Sequence, residues 1–473
     1  MKKFIGKVLI FILLLFLTFS VFSGSNIFNL TFFEFILFSF IGIYSVISIM
    51  RELKYNNYSL NIMHWLFIFF FFFMAPVVQI LFDYNVWGIY QSSSSIENSC
   101  LIIIIWILFF RIGNVAAYKN SLKQNDKKIV SCTHANSVKY SSLIFFTLLS
   151  FISTFIVVKN VGFSNLFARS SSVLSYDGAY SQMTTLITGH CTKVIILFST
   201  FLSLIKYKSE KKGVIILTVN LIFLLLTCFP TAVARNTAGI VYMGLYAVYS
   251  FCEGKNKKKN VQYITLFIVA FVVLFPAINT FRNLKFDEVN IIETLNDVSQ
   301  NVGKNYLTGD YDAFSMVGNV VDYTKKNGMS YGKQFLGGFL FMVPRNIWPT
   351  KPVGSGSMVF TSFDKSFTNV SCPLIAEGYI NFGIVGVILL SFLAGYICSR
   401  IDYMYWNHLN KEEFRYSFGN LIYPVLLPSY FFMLRGDFMS TWSNLFVYIV
   451  FFYIFSKYLL IGEKKYIGGK IWK

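Results

Sequence analysis

Residues 299–356 read SQNVGKNYLTGDYDAFSMVGNVVDYTKKNGMSYGKQFLGGFLFMVPRNIWPTKPVGSG. The stretch mixes Gly, Asp and Lys with amphipathic pieces. It belongs to a longer segment, Asn279 to Cys372, which is the one long part of the chain not built for a lipid bilayer. On both sides the sequence is a series of apolar runs rich in Phe, Ile and Leu. That contrast predicts an all-α polytopic membrane protein with one elaborate loop. Loops held by a rigid scaffold are where site residues collect.

Composition agrees. Of 473 residues, 55% are hydrophobic and only 13% charged, about half the charged share of a soluble domain. The net charge of +19 does not mean nucleic acid, because the basic residues lie in short connections between apolar runs and form no stripe with interleaved aromatics. Seven cysteines are scattered, with no CxxC and no histidine at ligand spacing, so neither a disulfide framework nor a metal is expected. The N-terminal MKKFIGKVLIFILLLFLTF lacks a clean small-x-small cleavage site and reads as an uncleaved first span.

A span needs about 20 apolar residues. Runs of this kind lie near 8–23, 27–50, 62–82, 99–118, 140–158, 183–205, 214–229, 237–252, 261–278, 378–399, 418–434 and 441–460. The expected organisation is a membrane domain over 1–278, the large loop over 279–372, and a second membrane domain over 373–473. With both termini in the cytoplasm, inner segments carry 26 of the 41 Lys and Arg. Outer segments carry 13, nine of them in the long loop, where charge directs topology weakly. Arg111 and Lys193 fall inside spans.

Short outer connections should be poor in arginine, so those present need a reason. Arg169, Arg235 and Arg435 lie in such connections, Arg282 just past the ninth span, and Arg345 in Pro344-Arg345-Asn346-Ile347-Trp348-Pro349-Thr350-Lys351-Pro352. Each alone can be a headgroup anchor. Together on one face they suit a lipid diphosphate, because guanidinium forks grip phosphate oxygens bidentately and keep their charge. The three prolines stiffen a wall that presents Arg345 and Lys351. Glu377 opens the tenth span, where the helix dipole favours a carboxylate, and it is also a candidate base. Asp437 is the second candidate carboxylate, or a simple ion-pair partner of Arg435. Asp310 and Asp312 read as solvated loop residues. His190 and Lys193 lie one turn apart inside the sixth span. No nucleotide or metal motif is present, so no cofactor is expected.

PRNIWPTKP, AEGYINFGIVG and LRGDF, together with ARNTAG after the seventh span, resemble the bacterial O-antigen polymerases of the Wzy type. The resemblance covers most of the chain. It implies a GT-C-like membrane glycosyltransferase of the bacterial inner membrane, independent of metal and nucleotide. Such an enzyme moves a glycan from undecaprenyl diphosphate onto a sugar hydroxyl of a newly flipped, lipid-linked repeat unit at the periplasmic face. For that reaction, Arg235, Arg282, Arg345 and Arg435, helped by Arg169 and Lys351, are expected to bind the diphosphates, because they share the outer face and other outer cations are scarce. Glu377 and Asp437 would serve in catalysis, Tyr379 in substrate binding, and a chain-length regulator would be a partner. An O-antigen ligase is the alternative, although ligases place a histidine in the large loop and residues 279–372 contain none. A lipid-linked oligosaccharide flippase would instead carry its charges deep in several spans.

Overall fold

The computed structural model describes residues 30–56, 58–125, 138–163, 166–167, 187–252, 260–269, 306–365, 367, 369–408, 416–459, 465–467 and 470–472. Along the chain the helices are α1 (Phe32–Glu52), α2 (Leu60–Leu81), α3 (Ser93–Asn125), α4 (Tyr140–Val161), α5 (Thr192–Glu210), α6 (Val214–Thr227), α7 (Arg235–Ala238), α8 (Gly244–Cys252) and α9 (Asn260–Val269). Then come α10 (Ala313–Asn327), α11 (Lys333–Phe339), α12 (Ser355–Ser362), α13 (Leu374–His408), α14 (Phe418–Arg435) and α15 (Phe438–Leu459). Among the described residues the two strands form an antiparallel ribbon, Lys465–Ile467 paired with Lys470–Trp472.

Seven described helices are long and apolar enough to cross a membrane: α1, α2, α3, α4, α13, α15 and the segment Gly189–Glu210 that contains α5. The expected spans at 214–229, 237–252 and 418–434 are helical as α6, α7 with α8, and α14, but are not among the seven. The expected first span and residues 270–278 of the expected ninth lie outside the described residues.

The chain forms two compact units. The first comprises 1–127, 297–404 and 430–443; the second comprises 128–296, 405–429 and 444–473. In the first, α2 is the central helix. Its apolar residues run all round, and 89% of its most apolar window is buried within the protein, against 39% for α1. A helix without a polar face can face lipid or be enclosed by protein, and α2 is enclosed. Phe67 and Phe71 pack on Phe431, and Phe71 also packs on Tyr311. His64 lies flat against Phe110, with 3.5 Å between ring centres, and its Nδ1 meets the Tyr430 hydroxyl at 3.1 Å. A π-helical turn, Phe70–Met74, interrupts α2 just before Pro76.

The start of α2 is fixed by the far end of α13. Asp402 accepts from the Leu60 and Asn61 backbone N–H groups at 2.9 and 3.1 Å, and from Asn61 Nδ2 at 2.9 Å. Ser59 caps the same turn by accepting from the Ile62 N–H. These are the donors that a helix N-terminus leaves unpaired. Helices α2 and α13 therefore run antiparallel. The end of α2, the start of α3 and the start of α13 share the face opposite Asp402, about 33 Å away by helix rise. Arg111, which falls inside a span, is accounted for by an ion pair to Glu52 at 3.7 Å.

Helices α3 and α13 meet backbone to backbone. A Cβ on Gly113 would stand 2.1 Å from the Phe392 carbonyl oxygen, and one on Gly395 would stand 2.1 Å from that of Phe110. Small residues allow this approach where no hydrophobic driving force pulls helices together.

The second unit is organised by α4, α5 and α6. Their interface is apolar around Phe146, Phe198 and Phe201, and is tied by one buried amide. Asn220 accepts from Ser199 Oγ at 2.8 Å and donates to Thr147 Oγ1 at 2.9 Å. Interhelical side-chain bonds of this kind specify which helix faces meet.

Candidate active site

The site lies in the first unit, on the face opposite Asp402. Asp437 directly precedes α15 and caps it: its carbonyl accepts from the Thr441 N–H at 3.1 Å and its carboxylate from the Ser440 N–H at 3.3 Å. The Ser355 and Gly356 N–H groups at the start of α12 also reach its carboxylate. One side chain thus serves two helix N-termini.

Glu377 completes the junction from the first turn of α13. It accepts from Ser355 Oγ at 2.7 Å and from the Phe438 N–H at 3.1 Å. The starts of α12, α13 and α15 therefore converge on two carboxylates. Each helix start carries roughly half a positive charge, so the convergence stabilises anions without a nearby cation. The two carboxylates differ in access. Glu377 is 1% exposed, whereas Asp437 keeps intermediate exposure. Burial raises the Asp437 carboxyl above the ordinary carboxylate range, and the backbone N–H groups pull it part of the way back.

The approach to Glu377 is shaped by a break in α13. Phe382 and Gly383 leave the helical region, and Gly383 adopts φ 60, ψ −146. That conformation is essentially restricted to glycine. The loop before α11 is pinned on this break: the Ser330 N–H donates to the Ile380 carbonyl at 2.8 Å. Tyr379 sits half-buried on the same short segment, two residues beyond Glu377.

A second polar junction lies beside the first. Asp312 is fully buried. It accepts from Trp87 Nε1 at 3.1 Å, the Ser371 N–H at 3.3 Å and Ser371 Oγ at 2.5 Å, and it pairs with Arg435 at 3.5 Å. Arg435 also donates to the Gly309 carbonyl at 3.4 Å. This corrects two expectations. Asp312 is not a solvated loop residue. Among the described residues the carboxylate partner of Arg435 is Asp312, not Asp437, whose carboxylate is turned to helix N–H groups instead. The partners of Asp312 come from three distant segments, so no local pattern announces its role. Ser355 and Ser371 were missed for the same reason.

Arg345 and Lys351 organise their own loop. Arg345 donates to the Lys351 and Pro352 carbonyls at 2.7 and 3.3 Å. Lys351 donates to the Phe341 and Val343 carbonyls at 2.6 and 2.9 Å. The proline-rich wall is thus cross-braced by its own cations. Arg345 remains exposed, and partial burial together with the Arg345 charge lowers the Lys351 ammonium below its usual range.

The first unit thus brings together Glu377, Asp437, Arg435, Arg345, Lys351 and Tyr379. Arg235 opens α7 in the second unit. Arg169 and Arg282 lie outside the described residues. No group of three or more His, Cys, Asp or Glu able to hold a metal occurs among the described residues.

The family model described as O-antigen polysaccharide polymerase Wzy matches residues 8–462, nearly the whole chain. No curated protein and no solved structure matches it.

Proposed function

Because the chain belongs to the O-antigen polysaccharide polymerase Wzy family, we propose that it extends glycan on undecaprenyl diphosphate at the outer face of the bacterial inner membrane. The growing chain is the donor, and a newly delivered lipid-linked repeat unit is the acceptor. An acceptor hydroxyl oxygen bonds to the donor's anomeric carbon. The bond from that carbon to the diphosphate oxygen breaks, and the electron pair leaves with the lipid diphosphate. The hydroxyl proton passes to a carboxylate.

The observation that supports this reading is the junction of three helix starts around Glu377 and Asp437, with Arg435 two residues from Asp437. Asp437 is the member with access, and burial raises its pKa, which makes it a stronger base than an ordinary carboxylate. Glu377 holds α12 and α15 in place behind it. Arg435, Arg345 and Lys351 meet the diphosphate as its charge develops. Arg169, Arg235 and Arg282 belong to the same outer set, Tyr379 offers its ring to the sugar, and a chain-length regulator binds outside this machinery. In this reading the face opposite Asp402 is periplasmic, both termini are cytoplasmic, and twelve spans carry a GT-C-like arrangement.

The test is a gel of surface lipopolysaccharide from a strain lacking the protein, alongside its lipid-linked intermediates. A polymerase is expected to leave one repeat unit attached to the lipid core. Long lipid-linked polymer without attachment would instead mean a ligase, and single units trapped on the cytoplasmic side would mean a flippase.

A further inference from the structure

A cavity of about 260 Å³ opens at the end of α2, lined by the start of α1, the turn between α2 and α3, and the start of α10. It lies wholly within the first unit and next to the Asp312 junction. Phe314 and Ser315 line it two and three residues beyond Asp312, and Trp87, which donates to Asp312, follows the lining residue Val86.

The lining is mostly polar and includes one buried carboxylate. Two of its amides are committed to the protein: the Gln79 amide nitrogen donates to the Tyr306 and Tyr311 carbonyls at 3.0 and 3.1 Å, and that of Gln91 donates to Asn319 at 2.7 Å. One buried acceptor is left over. Glu34 is 1% exposed; its Oε2 receives the Thr31 N–H at 2.8 Å, while its Oε1 finds no partner among the described residues. Gln79 and the exposed Asp83 also line the cleft. An unmatched buried carboxylate oxygen is costly unless a donor arrives. No Lys or Arg lines the cavity, so a phosphate is disfavoured there. Tyr90, 75% exposed at the rim, offers an aromatic face. A ligand rich in O–H or N–H donors with an apolar ring face meets all of these demands, and that combination is a sugar.

We propose that this cleft is a saccharide subsite, which seats one sugar ring of the repeat unit through donors to Glu34, Gln79 and Asp83 while the diphosphate stays with the arginines. The inference rests on the polymerase reading and adds where the glycan binds. Its selectivity is for neutral or amino-substituted rings over acidic ones.

The test uses full-length protein in lipid nanodiscs. The probe is the repeat-unit oligosaccharide released by mild acid from the host's lipid-linked precursor, titrated by saturation-transfer NMR, with inorganic diphosphate titrated in parallel. Asp83→Asn and Tyr90→Ala lie at exposed positions and should fold; Glu34→Gln removes the buried charge. Each is expected to weaken oligosaccharide affinity roughly tenfold or more, the size of a lost charge-assisted hydrogen bond or a lost aromatic face, and to leave diphosphate affinity unchanged. The proposal is overturned if the wild type does not bind the oligosaccharide, if Asp83→Asn and Tyr90→Ala bind it as the wild type does, or if the carboxylates take up calcium and only calcium. If the strain lacking the protein keeps its full ladder, the polymerase reading itself fails. If the ladder is lost there but survives with unchanged oligosaccharide affinity in the cleft variants, the subsite alone fails.

Discussion

Converting Asp437 to Asn keeps an oxygen for the capped N–H groups and removes the charge. Protein level should hold, and polymer should disappear from the gel. For the wild type, the rate should climb as pH rises through the Asp437 pKa, because the base works only when deprotonated. Burial raises that pKa, so the acid limb should lie above the range of an ordinary carboxylate, and a pH–rate profile of in vitro polymerisation checks it. Asp312→Asn tests the second junction. The variant leaves the partly buried Arg435 guanidinium beside a neutral group, and the expected loss is about 2 kcal/mol, read as a lower melting temperature in detergent. Glu377 and Asp437 were legible as candidates because each stands at the polar mouth of an apolar run. Asp312 was not: its partners Trp87, Ser371 and Arg435 are remote in sequence, so only the folded chain reveals a buried carboxylate where the loop composition suggests a wet one.

Helix α13 carries its function through an interruption. Gly383→Ala forces a Cβ into a conformation that L-residues avoid, and the new carbon would stand 2.8 Å from Met329. The expected cost is roughly 1–3 kcal/mol, with a loss of polymer larger than the loss of protein, because the break aims Glu377 and holds Ser330. Gly113→Leu should act differently, separating α3 from α13 and lowering the yield of folded protein without a specific catalytic signature. Comparing western blots with glycan gels distinguishes the two outcomes. The helices themselves were readable because a bilayer demands long apolar runs with internally paired backbones. The π-helical turns at Phe70–Met74 and Gly239–Met243 and the break at Phe382–Gly383 were not readable, because each answers a local packing need that hydropathy does not record. The helical segment carrying Glu377 begins at Leu374, four residues earlier than the span placed at 378–399, because Leu374, Ile375 and Ala376 continue the apolar run on the other side of Glu377.

For the molecule as a whole, the antiparallel pairing of α2 with α13 turns a charge count into a geometric statement with two named ends. Tyr331, 79% exposed, belongs to the end with the candidate site, and Tyr55, 72% exposed, precedes the capped start of α2. A membrane-impermeant maleimide applied to intact spheroplasts should label Tyr331→Cys above the parent background and spare Tyr55→Cys until the cells are opened. The reverse pattern would place the site in the cytoplasm and remove the proposed substrate from its reach. The Asp402 cap carries a further consequence, for biogenesis. The first turn of α2 emerges from the ribosome about 340 residues before the carboxylate that completes it. During that interval the insertion machinery holds a helix whose leading N–H groups lack their final acceptor, and long sequence separation makes such closures slow. The first unit reaches its finished form only after the C-terminal third has been threaded into the membrane. A chain stopped before residue 402 therefore offers quality-control proteases an unsealed central helix rather than a working half.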